Sequence, residues 1–337
     1  MDWCNSAPQD PRKTYPIMGK ALNTSGRHIH FNMCEWGKEN PWEWGDSCAQ
    51  SWRMSGDHTG TWPSTKGQIK GSAAIPAKYS GKPYGWNDMD MLETGNGAQA
   101  AHANGKEGNM TLHESITEFS MWAISASPLV VTTPIMNCTP EAAPVNPGKG
   151  CSVSLIKQSS VDKCELNKSF GCEGGTSVKS STVWTNGCRG KFLCDGKPIT
   201  CDVDGNGKHT CPCSGAPAVK PKCRPMLNAI QKTILLNKEV IAINQDVTPQ
   251  GRPVKEGDLT VWARKLSDGS VAVAMYNEND ASAMIGVDFT TLGWTASAKA
   301  KVRDLWAHTD NGTATGKIAP VSVCAHCTVV VRLTKAA

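Results

Sequence analysis

Five acidic residues stand in stretches that are otherwise rich in Trp, Cys, Met and Gly. They occur in the segments MDWC, MCEWG, WRMSGD and YGWNDMDML and are Asp2, Glu35, Asp57, Asp88 and Asp90. A carboxylate beside apolar aromatic side chains costs free energy, so such a placement usually serves a function. Two carboxyl groups in unlike environments can act one as proton donor and one as nucleophile. Any one of these acids alone is more often a surface or capping carboxylate, but together they are the candidates for catalysis.

The elements around these acids indicate a parallel α/β fold. The run HIHFNM predicts a strand that ends just before Glu35, and residues 112–126 have apolar positions at helical spacing, followed by the strand-like run PLVVTTPI. The order of strand, loop, helix and strand is typical of a barrel of parallel strands, whose loops gather at one face. Acids at several strand-to-loop junctions of such a barrel would converge on one pocket.

The rest of the chain divides into three parts. Residues 138–223 hold ten of the fifteen cysteines and show little periodicity, which is typical of a disulfide-stapled insertion. The helical pattern resumes after Arg224. Beyond about Thr248 the chain has short alternating strands, LTVWARKL, SVAVAMYN, AKVRDLWA and CTVVVRLT, which predict an antiparallel β-sandwich.

Composition excludes several classes of partner and site. The net charge of +5 on 337 residues is scattered without basic runs, which disfavours nucleic-acid binding, and no apolar run is long enough to span a membrane. The cysteine content and five Asn-x-Ser/Thr sequons favour an oxidising, secretory compartment; the sequons are at Asn23, Asn109, Asn137, Asn167 and Asn311. The single CxxC motif, Cys324 to Cys327, cannot complete a four-ligand site, so no metal is predicted.

The motifs, taken together, resemble one family. MDWC, CEWGKENPWEWG, SWRMSGD, YGWNDMDMLETGNG, HESITEFSMWAISASPL, EVIAINQD and RDLWAH resemble, in this order, the α-galactosidases of glycoside hydrolase family 27, especially the plant-type, melibiase-like enzymes. The resemblance covers about residues 1–136 and 224–337. It implies the C-terminal part of a (β/α)8 TIM barrel, followed by an antiparallel β-sandwich. The corresponding domains are a partial barrel over 1–136, a Cys-rich insertion over 137–223, the end of the barrel over 224–248 and the sandwich over 249–337.

The resemblance also implies roles for individual residues. Asp2 corresponds to the nucleophile and Asp57 to the general acid/base, a pair that a retaining glycosidase holds about 5 to 5.5 Å apart. Arg53 would bind a sugar hydroxyl, and Glu35 with Trp36 would recognise the 2-hydroxyl. Asp90 and Met91 would close the other side of the pocket, and Asp88 is a further predicted substrate-binding residue. Cys4 and Cys34 match a disulfide between two loops of the barrel.

Three features depart from the family pattern. The chain begins inside the fourth barrel strand, so we expect it to be a truncated form that lacks strands 1 to 3. Met89 stands where relatives carry Pro between two acids, and this change is expected to loosen the loop. The Cys-rich insertion, with the loop VWTNGCRGKFLC, is either an auxiliary sugar-binding or adhesion module or an inert loop.

The resemblance implies a retaining hydrolase of terminal α-D-galactosyl residues on oligosaccharides, glycolipids or glycans, without a cofactor. Two enzyme alternatives remain open: a β-L-arabinopyranosidase, because that sugar presents the same ring hydroxyls, and an α-N-acetylgalactosaminidase. A non-catalytic galactoside-binding fragment is the alternative of a different class. The expected location is outside the cell, or in the lysosome or vacuole, with a signal peptide in the expected missing segment.

Overall fold

The structure is a computed structural model that describes residues 1–80, 85–96, 110–133, 135–139, 151, 153–160, 163–174, 181–194, 197–203, 207–213, 222–255 and 257–336. The sequon at Asn109 and the last Gly of the TGNG motif lie outside these residues. The chain forms two compact units, one of residues Met1–Pro134 with Leu227–Ala337, and one of residues Ile135–Met226. No helix among the described residues is long and apolar enough to cross a membrane.

A parallel sheet organises the first part of the larger unit. Its three strands, in sheet order, are β1 (Asn32–Met33), β2 (Ser51–Arg53) and β3 (Trp86–Asp88). Single parallel bridges extend the sheet, from Asp2 to Cys34 at one end and from Leu92 to Val131. Because the strands are parallel, the chain leaves each of them at the same edge. The segment PLVVTTPI, predicted as a strand, forms only the bridge at Val131 in the described residues.

In the described part of this unit, five α-helices accompany the strands. They are α1 (Pro11–Asn23), α2 (Trp62–Ala74), α3 (Leu112–Ile124), α4 (Ala229–Leu235) and α5 (Lys238–Asn244). The helix predicted over 112–126 is confirmed as α3, which begins at a capping box in which Thr111 and Glu114 satisfy each other's backbone N–H groups. Its residues from Glu114 to Ile124 are nearly all buried, because α3 packs against α5 and also against the sheet described next.

The last part of the chain is an antiparallel sandwich, as predicted. One sheet has six strands in the order β12 (Arg252–Lys255), β13 (Asp258–Lys265), β14 (Val271–Tyr276), β19 (Thr328–Ala336), β16 (Lys299–Asp304) and β17 (Thr309–Thr315). The other pairs β15 (Ala283–Asp288) with β18 (Lys317–Val323). Central strand β14 is buried along its whole length: Val271, Val273 and Met275 face the sandwich core, while the alternate residues pack against the helices.

The smaller unit consists of short antiparallel strands held by disulfides. Its sheets are β4 (Met136–Thr139) with β11 (Lys222–Pro225), β5 (Val153–Gln158) with β8 (Gly190–Cys194) and β9 (Lys197–Cys201), and β6 (Phe170–Glu173) with β7 (Thr182–Asn186) and β10 (Lys208–Pro212). Among the described residues of this unit the disulfides are Cys151–Cys172, Cys164–Cys188, Cys194–Cys213 and Cys201–Cys211. Phe170 and Phe192 pack among these cysteines with ring centroids 5.1 Å apart. Such a small apolar core needs covalent staples.

Arg264 on β13 joins the sandwich to the last helix of the barrel part. Its buried guanidinium donates hydrogen bonds to five backbone carbonyls at and beyond the end of α5, those of Ile243, Asn244, Asp246, Thr248 and Pro249. The carbonyls at a helix C-terminus lack the N–H groups of a following turn, and the arginine supplies donors to them and to the chain just beyond. Burial lowers the pKa of Arg264 to about 10.

We therefore expect Arg264→Met to lower the free energy of unfolding by at least about 3 kcal/mol, because several buried carbonyls lose their donor at once. Urea denaturation followed by tryptophan fluorescence measures this. Arg332→Met is the matched control, since Arg332 is partly exposed and binds Asp268 at the surface, where a pair contributes about 1 kcal/mol or less. Equal losses for the two variants would contradict this role of Arg264.

Candidate active site

The loops that leave β1, β2 and β3 surround one cavity of about 270 Å³. Its lining consists of Asp2, Cys4, Trp36, Arg53, Asp57, His58, Asp90, Met91 and Glu93. Of the residues predicted for the site, this lining includes both catalytic candidates. Glu35, Asp88 and Cys34 are not part of it.

Arg53, the last residue of β2, lines the cavity and connects two of its acids. The residue is 7% exposed, and its Nη2 lies 2.7 Å from Asp90 Oδ2 and 3.2 Å from Asp57 Oδ1. Nη2 also donates to the carbonyl of Ser55, and Nη1 donates to Cys34 Sγ at 3.7 Å. One cation thus balances a buried carboxylate and an exposed one, and it fixes both relative to the end of β2.

Asp90 connects the loop after β3 with the loop after β2. Its Oδ2 accepts the backbone N–H of His58 at 2.7 Å, its Oδ1 accepts that of Met91, and its carbonyl accepts Trp122 Nε1 at 2.7 Å. The residue has a positive φ of 83°, which these contacts hold in place. Burial raises the pKa of Asp90, while the neighbouring Arg53 lowers it.

Asp88 was predicted to contact substrate, but the structure gives it a positioning role. Both carboxylate oxygens bind protein groups: Oδ1 accepts the backbone N–H of Asp90 at 2.8 Å, and Oδ2 accepts Asn32 Nδ2 at 2.5 Å. The side chain is buried and connects β3 to β1 across the sheet. Asp88 therefore sets the backbone of Asp90 and does not line the cavity.

The two catalytic candidates have different surroundings. The Asp57 side chain is 69% exposed, and its Oδ1 accepts hydrogen bonds from Trp36 Nε1 at 3.1 Å and from Arg53. Asp2 is exposed and forms the single parallel bridge with Cys34, the residue that follows β1. Burial raises the pKa of the Cys34 thiol to about 12, Arg53 lowers it, and a hydrogen bond with Asp2 raises it further.

The structure contradicts the predicted disulfide between Cys4 and Cys34, since both are free thiols. Cys34 is buried and its sulfur is directed towards Arg53, whereas Cys4 lies two residues beyond the bridge at Asp2 and is exposed. The Cys34 sulfur thus contacts the guanidinium of Arg53 and is not bonded to Cys4.

The predicted selector pair, Glu35 and Trp36, is divided between two roles. Trp36 has a positive φ of 60° and lines the cavity, with Lys38 Nζ 4.9 Å from its ring centroid. Glu35 is 2% exposed, and its Oε2 accepts the backbone N–H of Glu39 at 2.8 Å. Glu35 thus holds the loop on which Trp36 is presented.

Met91 lines the cavity as predicted, and the neighbouring Met89 is buried in the loop after β3. Met89 is 1% exposed, and its backbone N–H donates to Ser127 Oγ at 2.8 Å. A proline at this position has no N–H and could not make that bond. This hydrogen bond connects the loop after β3 to the segment just beyond α3, and the expected loosening relative to a proline stays a prediction.

Sequence reasoning did not identify His58, a buried residue of the cavity lining. Its Nε2 lies 2.8 Å from Glu118 Oε1 and its Nδ1 lies 2.9 Å from Ser64 Oγ, and its ring packs on Trp122. Glu118 is itself fully buried on α3 and accepts the backbone N–H of Glu93. The sequence feature that could have identified His58 is its position directly after the catalytic candidate Asp57, in the segment SGDH.

Two family profiles match the chain. One is described as Alpha galactosidase A and matches residues 1–152, and the other is described as Alpha galactosidase C-terminal beta sandwich domain and matches residues 256–333. The Alpha-galactosidase 2 of Arabidopsis thaliana is 31% identical over 309 residues, which are 91% of this chain and 52% of the plant protein. The chain spans about half the length of the plant relatives that it matches.

Solved structures share the fold. The alpha-galactosidase I of Mortierella vinacea superposes with a TM-score of 0.64 at 20% identity and covers 100% of this chain and 67% of its own. A β-L-arabinopyranosidase from Geobacillus stearothermophilus superposes with a TM-score of 0.61 at 18% identity over 96% of this chain and 54% of its own. The predicted fold class, part of a TIM barrel followed by an antiparallel β-sandwich, is confirmed.

The burial of Glu35 predicts how stability depends on pH. Burial raises the pKa of Glu35 above its ordinary value of 4.5, with the N–H of Glu39 acting in the opposite direction. The folded protein therefore holds this proton more tightly than the unfolded chain, and the contribution to stability is lost as pH rises from about 4.5 through the folded pKa. Glu35→Gln lacks this titration and should gain stability relative to the parent protein as the pH rises from about 4.5 through the folded pKa of Glu35.

Denaturant unfolding at a series of pH values measures this difference. Glu43→Gln serves as the matched control, because Glu43 is exposed in the same loop region and lies 4.0 Å from Arg12. A constant offset between Glu35→Gln and the parent protein at every pH would rule out a titrating, buried Glu35.

Proposed function

The chain belongs to the α-galactosidase family, glycoside hydrolase family 27, and from that premise we propose that the protein is a retaining glycosidase that removes terminal α-D-galactosyl residues. The observation that carries the proposal is that Asp2 and Asp57 line the same cavity, together with Arg53 and Asp90. The substrate class is an oligosaccharide, glycolipid or glycan that ends in an α-linked galactose.

In this mechanism Asp2 attacks the anomeric carbon and forms a glycosyl ester, while Asp57 donates a proton to the departing oxygen. Asp57 then removes a proton from the water that hydrolyses the ester. The contacts of Asp57 support its role, because Trp36 and Arg53 both bind Oδ1. Among the described residues they leave Oδ2 for the proton that is transferred.

Arg53 and Asp90 supply polar groups to the cavity beside the two catalytic carboxyls. Their mutual pairing holds both in place before a ligand arrives, so little reorganisation is needed when sugar hydroxyls bind. Asp88 acts on the substrate indirectly, through the backbone of Asp90. No step of this mechanism uses a metal or an organic cofactor.

A secretory location is part of the proposal. The five described disulfides, four of them in the smaller unit, favour an oxidising compartment, either outside the cell or in a lysosome or vacuole. The sequon residues Asn23, Asn167 and Asn311 are exposed, as an attached glycan requires.

The roles of the two carboxyls predict different responses to azide. Asp57→Ala should still form the glycosyl ester from an aryl α-galactoside with a good leaving group, because that leaving group needs no proton, and azide should then restore turnover and give the α-galactosyl azide. Asp2→Ala should lose activity with every leaving group, and azide should give at most the β-azide.

Proton NMR of the azide product identifies its anomeric configuration. Aryl β-L-arabinopyranoside is the parallel substrate, and a preference for it would favour that activity over the galactosidase. A β-azide from Asp57→Ala would reverse the two assignments, and inactivity of the parent protein on both substrates would overturn the proposed function.

The cavity lining also predicts where the 2-position of the sugar is recognised. Trp36 faces the cavity and Glu35 does not, so Trp36→Ser should raise the ratio of activity on α-N-acetylgalactosaminides to activity on α-galactosides, by a factor equivalent to about 1–3 kcal/mol. Glu35→Ser tests whether Glu35 acts only through the loop, in which case it should lower both activities together. If Glu35→Ser alone changes the ratio, Glu35 is the selector as the family resemblance implied.

A further inference from the structure

The CxxC segment Cys324–Cys327 lies beside His113, at the start of α3 and away from the cavity. Cys324 and Cys327 form a disulfide, and the sulfurs and one imidazole nitrogen of His113 all lie within 4.8 Å of one another. Cys324 and His113 are exposed, whereas Cys327 is packed into the sandwich core. No step of the proposed reaction uses these residues.

We propose that this disulfide is a reducible bond and that the reduced segment, with His113, is a binding site for a thiophilic divalent metal ion of the zinc class. The three ligands would be the thiolates of Cys324 and Cys327 and the imidazole of His113. The CxxC spacing is that of zinc ligands, and zinc accepts sulfur and nitrogen ligands together. A fourth position is left for water or an incoming ligand.

The exposure of Cys324 makes this bond the accessible one among the described disulfides. The disulfide cysteines of the smaller unit are buried or half-buried, so an attacking thiolate meets Cys324 first. A dithiol reductant would attack Cys324 Sγ, and Cys327 would leave as the thiolate. The second thiol of the reductant then attacks the mixed disulfide and releases Cys324, so that two electrons pass to the cysteines and the reductant becomes a disulfide.

The geometry after reduction suits a metal ion. Two sulfurs that are no longer bonded move apart to van der Waals contact, and tetrahedral zinc with bonds of about 2.3 Å places its sulfur ligands about 3.8 Å apart. His113 already lies within reach of both sulfurs. Only small side-chain movements are therefore needed to complete the three-ligand set.

The backbone of the segment is held by contacts that do not depend on the disulfide. Asn277 donates its backbone N–H to the carbonyl of Cys327 and its Nδ2 to the carbonyl of Cys324, each at 2.9 Å. Thr117 on α3 donates to the carbonyl of His326 at 2.7 Å. When the S–S bond breaks, these contacts keep the two thiols adjacent.

A second set of contacts holds His113 close to the segment. Glu114, the next residue on α3, accepts a hydrogen bond from His326 Nδ1 at 2.7 Å, and His326 stacks on Trp62 with ring centroids 4.4 Å apart. The bonds of His326 to Glu114 and to Thr117 thereby connect the CxxC segment to the first turns of α3, which carry His113. This preorganisation lowers the cost of collecting the ligands around an ion.

Cobalt binding after mild reduction tests the proposal. The protein is treated with a small excess of dithiol, freed of reductant under nitrogen and titrated with Co²⁺, whose thiolate charge-transfer and tetrahedral d–d bands report sulfur ligands. Parallel alkylation and peptide mapping should show label on Cys324 and Cys327 before Cys194 or Cys213. The reduced protein should show the bands and the oxidised protein should not.

Variants assign the ligands. His113→Gln should weaken Co²⁺ binding by at least about 10- to 100-fold, while the matched control His28→Gln, an exposed histidine elsewhere, should bind as the parent does. Cys324→Ser should abolish the charge-transfer bands of the two-thiolate site. The proposal is overturned if the oxidised protein binds equally well, if His113→Gln and His28→Gln behave alike, or if the disulfides of the smaller unit are reduced first.

Discussion

The buried guanidinium of Arg53 is the interaction on which the site depends. It lies at the end of the middle strand of the parallel sheet and pairs with Asp90 from the next loop and with Asp57 from its own. Removing one partner of a buried pair leaves an uncompensated charge and costs about 3–5 kcal/mol. The positions of both acids, and through them the shape of the cavity, therefore follow from one cation.

The same arrangement separates the acids by environment. Asp90 is buried and pairs with Arg53 and two backbone N–H groups, whereas Asp57 is largely exposed and Asp2 lies at the rim beside Cys34. Acids in unlike surroundings can take unlike roles, with some holding the loops and others reacting. Asp88 has a purely positioning role in this arrangement, since both its carboxylate oxygens accept hydrogen bonds from protein donors.

Sequence patterns predicted the helices and strands in which the apolar spacing repeats over many consecutive residues. The helix α3 and the strands β13, β14, β16 and β19 were identified because apolar spacing distinguishes helix from strand over that length. The segment around Val131 was predicted as a full strand but forms a single bridge in the described residues, because a short apolar run is compatible with either. The motifs also located the acids of the site, because Glu35, Asp57 and Asp90 lie in the loops that follow β1, β2 and β3, and Asp88 is the last residue of β3.

The role of each residue within the site could not be predicted from these patterns, because it depends on whether the side chain is directed into the cavity or into the protein. Glu35 and Trp36 are neighbours, yet only Trp36 reaches the cavity, and Cys34 is directed towards Arg53 and not towards Cys4. The partnership of His113 with Cys324 and Cys327 joins segments that are far apart in the sequence. Only the packing of α3 on the sandwich brings them together.

The central claim is that Asp2 is the group that bonds covalently to the sugar in a site shared with Asp57. The most direct measurement is mass spectrometric mapping of the protein after trapping with a 5-fluoro-α-galactosyl fluoride, which slows hydrolysis of the glycosyl ester. The account predicts a single added fluorogalactosyl group on the peptide that contains Asp2. A label on Asp57 or Asp90, or on no carboxylate of the cavity, would contradict it.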